Sequence, residues 1–347
     1  MDNKKRNLGI DLLKIAAMFL IVCEHIFSHG GLLAQAAENN SKYLYISSLY
    51  ILFRPAVNCY ALITGWGSYK DENCIQRLKD PKRYRNYFLY WVQVVFIGLL
   101  FTGILAVTKG TVSKNTIIQY LLPVTHKAYW YFTAYTVTFL IAPILNTIIA
   151  RMDKKLEISA IIVVVLFGVI ATSFKDGSLP AKASRVVWIV FLYCIGALIK
   201  KHGTCFSAPK ASGLICLAYL VSIMGTAYAD GYLRAVVPNY ENSCFSDFFS
   251  PVILVISVLA INLFAGLKIA RGQKAIKTLS TATFGIYLVH EHKAFRQLFI
   301  DDHFRWICDL HWIWIFLAVV GSAAVIFCVS FAVEYGRARL FKMIGLK

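Results

Sequence analysis

RNLGIDLLKIAAMFLIVCEHIFSHGG, residues 6–31, has the length and apolarity of a membrane span, yet Arg6, Asp11, Lys14, Glu24, His25 and His29 interrupt it. Ionisable groups inside a bilayer are costly and persist where they are paired or used. At about 100° per residue, Lys14 and His25, eleven positions apart, fall on one face of a helix, about three turns or roughly 16 Å from each other. Asp11 lies one turn before Lys14 and is expected to pair with it.

The rest of the chain has the same character. Hydrophobic residues make up 58% of the 347, charged residues 16%, and the mean hydropathy is +0.62, which excludes an ordinary soluble domain. The run that follows MDNKKRN is too long for a signal peptide and has no small-residue cleavage site, so it reads as a retained first helix. Segments long enough to cross a hydrocarbon core fall near 8–28, 43–66, 87–108, 128–149, 156–174, 186–200, 212–229, 248–268, 279–299 and 311–333, which makes ten. The expected fold is therefore all-α, a polytopic membrane bundle of about ten helices forming one domain over 1–347, with no fused soluble domain.

The net charge of +18 does not call for nucleic acid. Basic residues gather in every second loop, at 4–6, 69–85, 151–155, 200–202, 268–277 and 336–342, as cytoplasmic anchoring requires. Loops 29–41, 230–247 and 300–310 mix acid and base and belong on the other side, which puts both termini in the cytoplasm. The nine cysteines have no CxxC spacing and sit mostly in apolar runs, as small core residues do.

Several intramembrane groups call for partners. Arg54 falls about halfway through the second span and needs an anion, either a substrate or a buried acid such as Glu24. Lys82, Arg83 and Arg85 crowd the start of the third span, densely enough to bind phosphates as well as to anchor it. Trp130 and its tyrosine neighbours in AYWYFTAY (128–135) suit an interfacial belt. His290 lies about three turns into the ninth span, in STATFGIYLVHEH (280–292). A zinc site can be drawn from His25 and His29, or from His290 and His292 around Glu291, but no HExxH or Cys/His spacing supports it and no metal is expected.

These residues leave two classes open. One is a transporter that uses the buried His/Arg path for a solute or proton. The other is an enzyme that brings an activated cytoplasmic donor to an acceptor, with a histidine as general base.

A resemblance favours the second. Arg6, Asp11, Leu12, Lys14 and His25 are similar to the first-helix motif of the acyltransferase 3 family, bacterial integral-membrane acyltransferases that include O-acetyltransferases of surface polysaccharides. RPAVNCYALITGW, ending in Thr64, Gly65 and Trp66, resembles its second-helix segment. KRYR, YWYFTAY and STATFGIYLVH resemble its basic pair, its Trp-centred segment and its Ser-x-x-x-Phe-Gly-Ile-Tyr-Leu-x-His segment, in the family's order. Lys14 stands where arginine is commoner in the family.

The resemblance implies a multi-pass protein of the bacterial inner membrane that moves an acyl group, acetyl above all, from acyl-CoA to a hydroxyl of a surface polysaccharide or lipid-linked saccharide. His25 is the expected base. Arg6, Asp11, Lys14, Arg54, Arg83, Arg85, Trp130, Tyr287 and His290 are the expected donor and substrate contacts. Acetyl-CoA is a co-substrate, and no cofactor is bound permanently. Without a fused domain, transfer to the acceptor is expected to be direct.

Overall fold

The structure is a computed structural model that describes residues 6–38, 40–109, 113–173, 181–230, 232, 236 and 244–346. The expected break near 174–180 and most of the 230–247 loop, including YEN at 240–242, lie outside the described residues. The described residues are helical, with no strand among them. A chain this apolar has little choice, because in hydrocarbon a helix satisfies its own backbone polar groups.

All ten expected segments contain helix, but the count of ten spans is not reproduced. Among the described residues six helices are long and apolar enough to cross a membrane: Ser41–Ser68, Pro81–Thr108, Trp130–Arg151, Lys154–Thr172, Ala208–Tyr228 and Trp312–Met343. Pro251–Ala265 is apolar but short. The helix Leu8–Ser28 carries Asp11, Lys14 and Glu24, and Gln273–His290 carries Lys274 and Lys277, which dilute their apolarity. Two expected spans are also broken. The second turns at Arg54, where Pro55 supplies no N–H and opens a new helix, Pro55–Ser68. The ninth stops at His290 and resumes as Lys293–Phe299.

The chain forms two compact units, one of Met1–Ile21, Leu44–Asp71 and Ile144–Ser280, the other of Val22–Tyr43, Glu72–Pro143 and Thr281–Lys347.

In the first unit, Pro55–Ser68 and Ala181–His202 cross at glycines. A Cβ on Gly65 would overlap the Tyr193 carbonyl, and one on Gly196 the Leu62 carbonyl. Small residues at such crossings let backbones approach where the hydrophobic effect offers no drive. The ThrGlyTrp motif thus has a packing reason, and Trp66 also lies under the Lys200 ammonium, 3.6 Å from its ring centre. Buried polar side chains are paired here. Asn58 donates to the Phe248 carbonyl at 2.7 Å and accepts from Trp188 Nε1 at 3.1 Å. Asn146 accepts from the Tyr193 hydroxyl at 2.9 Å and donates to the Ser68 carbonyl at 3.1 Å.

The second unit is organised around a buried acid. Glu334, 3% exposed, receives both arms of Arg337 and the Gln93 amide, the latter at 3.1 Å. Gly285 of the STATFGIYLVH segment packs against that carboxylate, which a Cβ would overlap. Of the nine cysteines, Cys23, Cys59 and Cys308 are buried as expected, and the other six are half-buried or exposed; all are unbridged.

Candidate active site

His25 and His29 are carried by the end of the helix Leu8–Ser28. The His25 carbonyl accepts from the backbone N–H of both His29 (2.8 Å) and Gly30 (2.9 Å), and the chain then reverses at Gly31, whose φ of +81 is in the region glycine adopts freely. The turn is tied down from outside: Asp302 N donates to the His29 carbonyl and Phe304 N to that of Gly30, both at 2.9 Å.

The opposing group comes from the broken ninth segment. After His290 the helix stops, and His292 turns its Nδ1 onto the Ala294 N–H at 3.1 Å, capping the next helix. Its ring stacks on Tyr120, with centroids 4.6 Å apart. Glu291 is left at the corner, with Oε2 3.3 Å from His25 Nδ1. Neither atom has a hydrogen-bond partner among the described residues. Arg296 holds the other oxygen of Glu291 at 3.5 Å and Asp301 at 3.1 Å. Glu24 Oε2 lies 3.6 Å from His25 Nε2.

His290, fully buried, has its ring 5.1 Å from that of His25. Its Nδ1 sits 2.7 Å from the Ile286 carbonyl, so Nδ1 carries the proton and Nε2 presents a lone pair. His29 is 4.8 Å from His25, ring to ring. Burial first, and then the charge of Arg296, hold its pKa below the ordinary histidine value, so its imidazole is neutral at pH 7.

An aromatic wall adjoins His290. The Tyr287 ring lies 6.1 Å from it and 5.8 and 6.0 Å from those of Tyr129 and Tyr131. Tyr129 is buried and donates to the Leu288 carbonyl at 3.0 Å. Tyr129 and Tyr131 of AYWYFTAY therefore build this unit's core rather than the interfacial belt expected of them. Trp130, half-buried, opens its helix against Tyr131.

Arg83 and Arg85 differ. Arg83 is 6% exposed, with its guanidinium 3.9 Å from the Phe139 ring centre and hydrogen-bonded to the Phe139 carbonyl. Arg85 is exposed. Arg83 is committed to packing.

In the first unit, Asp11 is bound by Arg6 through both guanidinium arms, one at 2.9 Å, and by Ser280 at 2.8 Å. The Asp11–Lys14 pair expected from spacing is replaced by these partners, since a bidentate arginine fits a carboxylate better than a point charge does. Lys14 lies over Tyr60, 5.7 Å from its ring centre. Arg54 faces Asp247 at 3.4 Å, the Ser246 carbonyl at 3.0 Å and the Tyr50 hydroxyl at 3.0 Å. Its anion is thus Asp247, not the Glu24 suggested by sequence.

The model of one family, described as an acyltransferase domain, matches residues 7–333. The chain belongs to the acyltransferase 3 family. As a member of it, the protein is a multi-pass membrane acyltransferase. No curated protein and no solved structure matches the chain.

The sequence reading named Glu291 only within a drawn zinc site, not as the partner of His25, and it did not single out Asp247. The signal for Glu291 was its place directly after an intramembrane histidine. Asp247 sits in a loop with no periodicity to mark it.

Proposed function

We propose that this acyltransferase moves an acetyl group from cytoplasmic acetyl-CoA to a hydroxyl of a cell-surface or lipid-linked glycan in the bacterial inner membrane. The observation that carries the reading is the His25–Glu291 pair, with the carboxylate 3.3 Å from Nδ1. The negative charge of the carboxylate 3.3 Å from Nδ1 favours the tautomer with its proton on Nδ1, whose other nitrogen, Nε2, takes a proton. His25 Nε2 then removes the acceptor's hydroxyl proton as that oxygen attacks the thioester carbonyl. The tetrahedral intermediate collapses, the C–S bond breaks, and the proton passes from His25 to the departing CoA thiolate. The ester and free CoA are the products.

Glu291 acts through His25 and is a positioning residue. Tyr287, Trp130 and the lone pair of His290 line the acceptor's approach. On the donor side, Arg85 is the exposed cation for the CoA phosphates, and the Arg83 guanidinium anchors the start of the same helix. The Arg6–Asp11 pair and Lys14, near the start of the helix Leu8–Ser28, are the first unit's candidate contacts for the donor. Arg54, paired with Asp247, holds the first unit together at the break before Pro55 rather than contacting donor or substrate.

The test is acyl transfer from radiolabelled acetyl-CoA to envelope glycan by the protein in detergent or proteoliposomes. Transfer that is abolished in His25→Ala supports the reading. Undiminished transfer in that variant removes the base, and ion-dependent solute uptake without CoA release would instead mark a transporter.

A further inference from the structure

We propose that His25, His29 and Glu291 form a binding site for a divalent transition metal of the zinc and cobalt type. Two imidazoles and a carboxylate are a ligand set suited to these borderline ions, and it leaves a coordination position open. One ligand atom from each residue can be chosen so that all three lie within 4.8 Å of one another. The His25 Nδ1–Glu291 Oε2 separation is 3.3 Å. That matches the ligand–ligand edge, about 3.3 Å, of a tetrahedron with metal–ligand bonds of about 2.0 Å. Small side-chain rotations of His29 bring the third ligand in.

Three further observations point to a cation. His25 is 9% exposed, and its Nδ1 and the Glu291 Oε2 are buried atoms with no hydrogen-bond partner among the described residues, a costly state that coordination removes. Arg296 fixes the other Glu291 oxygen at 3.5 Å and Asp301 at 3.1 Å, the arrangement by which outer groups orient a ligating carboxylate. The local charge is anionic, with Glu24, Glu291 and Asp301 set against Arg296.

The consequence for catalysis rests on the reading of His25 as base. A metal on His25 Nδ1 confines the imidazole's one proton to Nε2, the nitrogen that the acyl transfer uses as base, and also occupies the Glu291 carboxylate, so metal and turnover exclude each other. Zinc is a reversible inhibitor, and His29, which the transfer does not use, is the residue that confers sensitivity.

The experiment uses the full-length protein in detergent, stripped with chelator and dialysed against Co(II) or Zn(II). Wild type is expected to retain one metal per chain and to show the visible absorption of low-symmetry Co(II), with binding weakened about a hundredfold in His29→Gln. Glu291→Gln provides a second, isosteric variant if His29→Gln fails to fold. Wild type that holds no cobalt, or both variants holding as much as wild type, overturns the site. In the acetyl-transfer assay, zinc is expected to stop wild type and EDTA to restore it, while His29→Gln turns over at the wild-type rate and resists zinc. Zinc that binds wild type without slowing transfer overturns the inhibition and the base assignment while the site stands. An active wild type that binds no metal overturns the site while the base assignment stands.

Discussion

Glu291→Gln isolates the contribution of one charge. The substitution keeps the shape of the side chain and an oxygen for Arg296, and it removes the negative charge 3.3 Å from His25 Nδ1. Two full charges at that distance attract by about 5 kcal/mol at an effective dielectric of about 20. Roughly half of the proton's charge has reached the imidazole in the transition state, so about 2 to 3 kcal/mol of its stabilisation goes, or about 30- to 150-fold in kcat. Acyl-CoA binding precedes proton transfer and does not involve this carboxylate, so KM for acetyl-CoA stays the same. The assay is the initial rate of glycan-dependent CoA release, with Glu291→Asp as the charge-preserving control that recovers part of the loss. A Glu291→Gln enzyme within about twofold of wild-type kcat, or a loss confined to KM, would refute the idea that this acid positions the base.

The packing makes further predictions. Gly65→Ala drives a methyl into the Tyr193 carbonyl and should cost about 1 to 3 kcal/mol, read as a lower thermal midpoint in detergent; Gly67→Ala, with open space around it, is the control and should change little. Asn58→Leu strands the Trp188 indole N–H and the Phe248 carbonyl and should lower stability by about 1 to 3 kcal/mol for each buried group left unpaired, an expectation that an unchanged midpoint would contradict. Arg85→Ala should weaken thermal stabilisation by CoA while leaving the apo midpoint near wild type, whereas Arg83→Ala should lower the apo midpoint itself, because its guanidinium is buried on Phe139. Equal effects of the two arginines on the apo protein would remove this division of labour.

Charge and periodicity reveal elements and faces, and they did so here for the helical class, for the helix that carries Lys14 and His25, and for the place of Arg83 beside Arg85. They do not reveal which partner a buried charge chooses. Asp11 is one turn from Lys14, yet it is held by Arg6 and Ser280, the latter 269 residues away in the chain. Arg54 could have been matched with any acid, and Asp247, 193 residues away, comes within reach only when the chain has folded. The tyrosines around Trp130 look the same in sequence whether they face headgroups or a core, and burial decided it.

The sequence by itself determined that this chain is helical and membrane-embedded, because long continuous apolar runs, unlike the short alternating strands of a barrel, satisfy their backbone in a bilayer as helices, and it singled out His25 because an imidazole in a span needs a reason. Only the tertiary structure decided what surrounds that imidazole. The break after His290 is a local event, a helix stop followed by a cap from His292, but its effect is long-range: it turns Glu291 toward a histidine 266 positions earlier. Helical periodicity assumes an unbroken helix, and the acid that completes the site lies where that assumption fails.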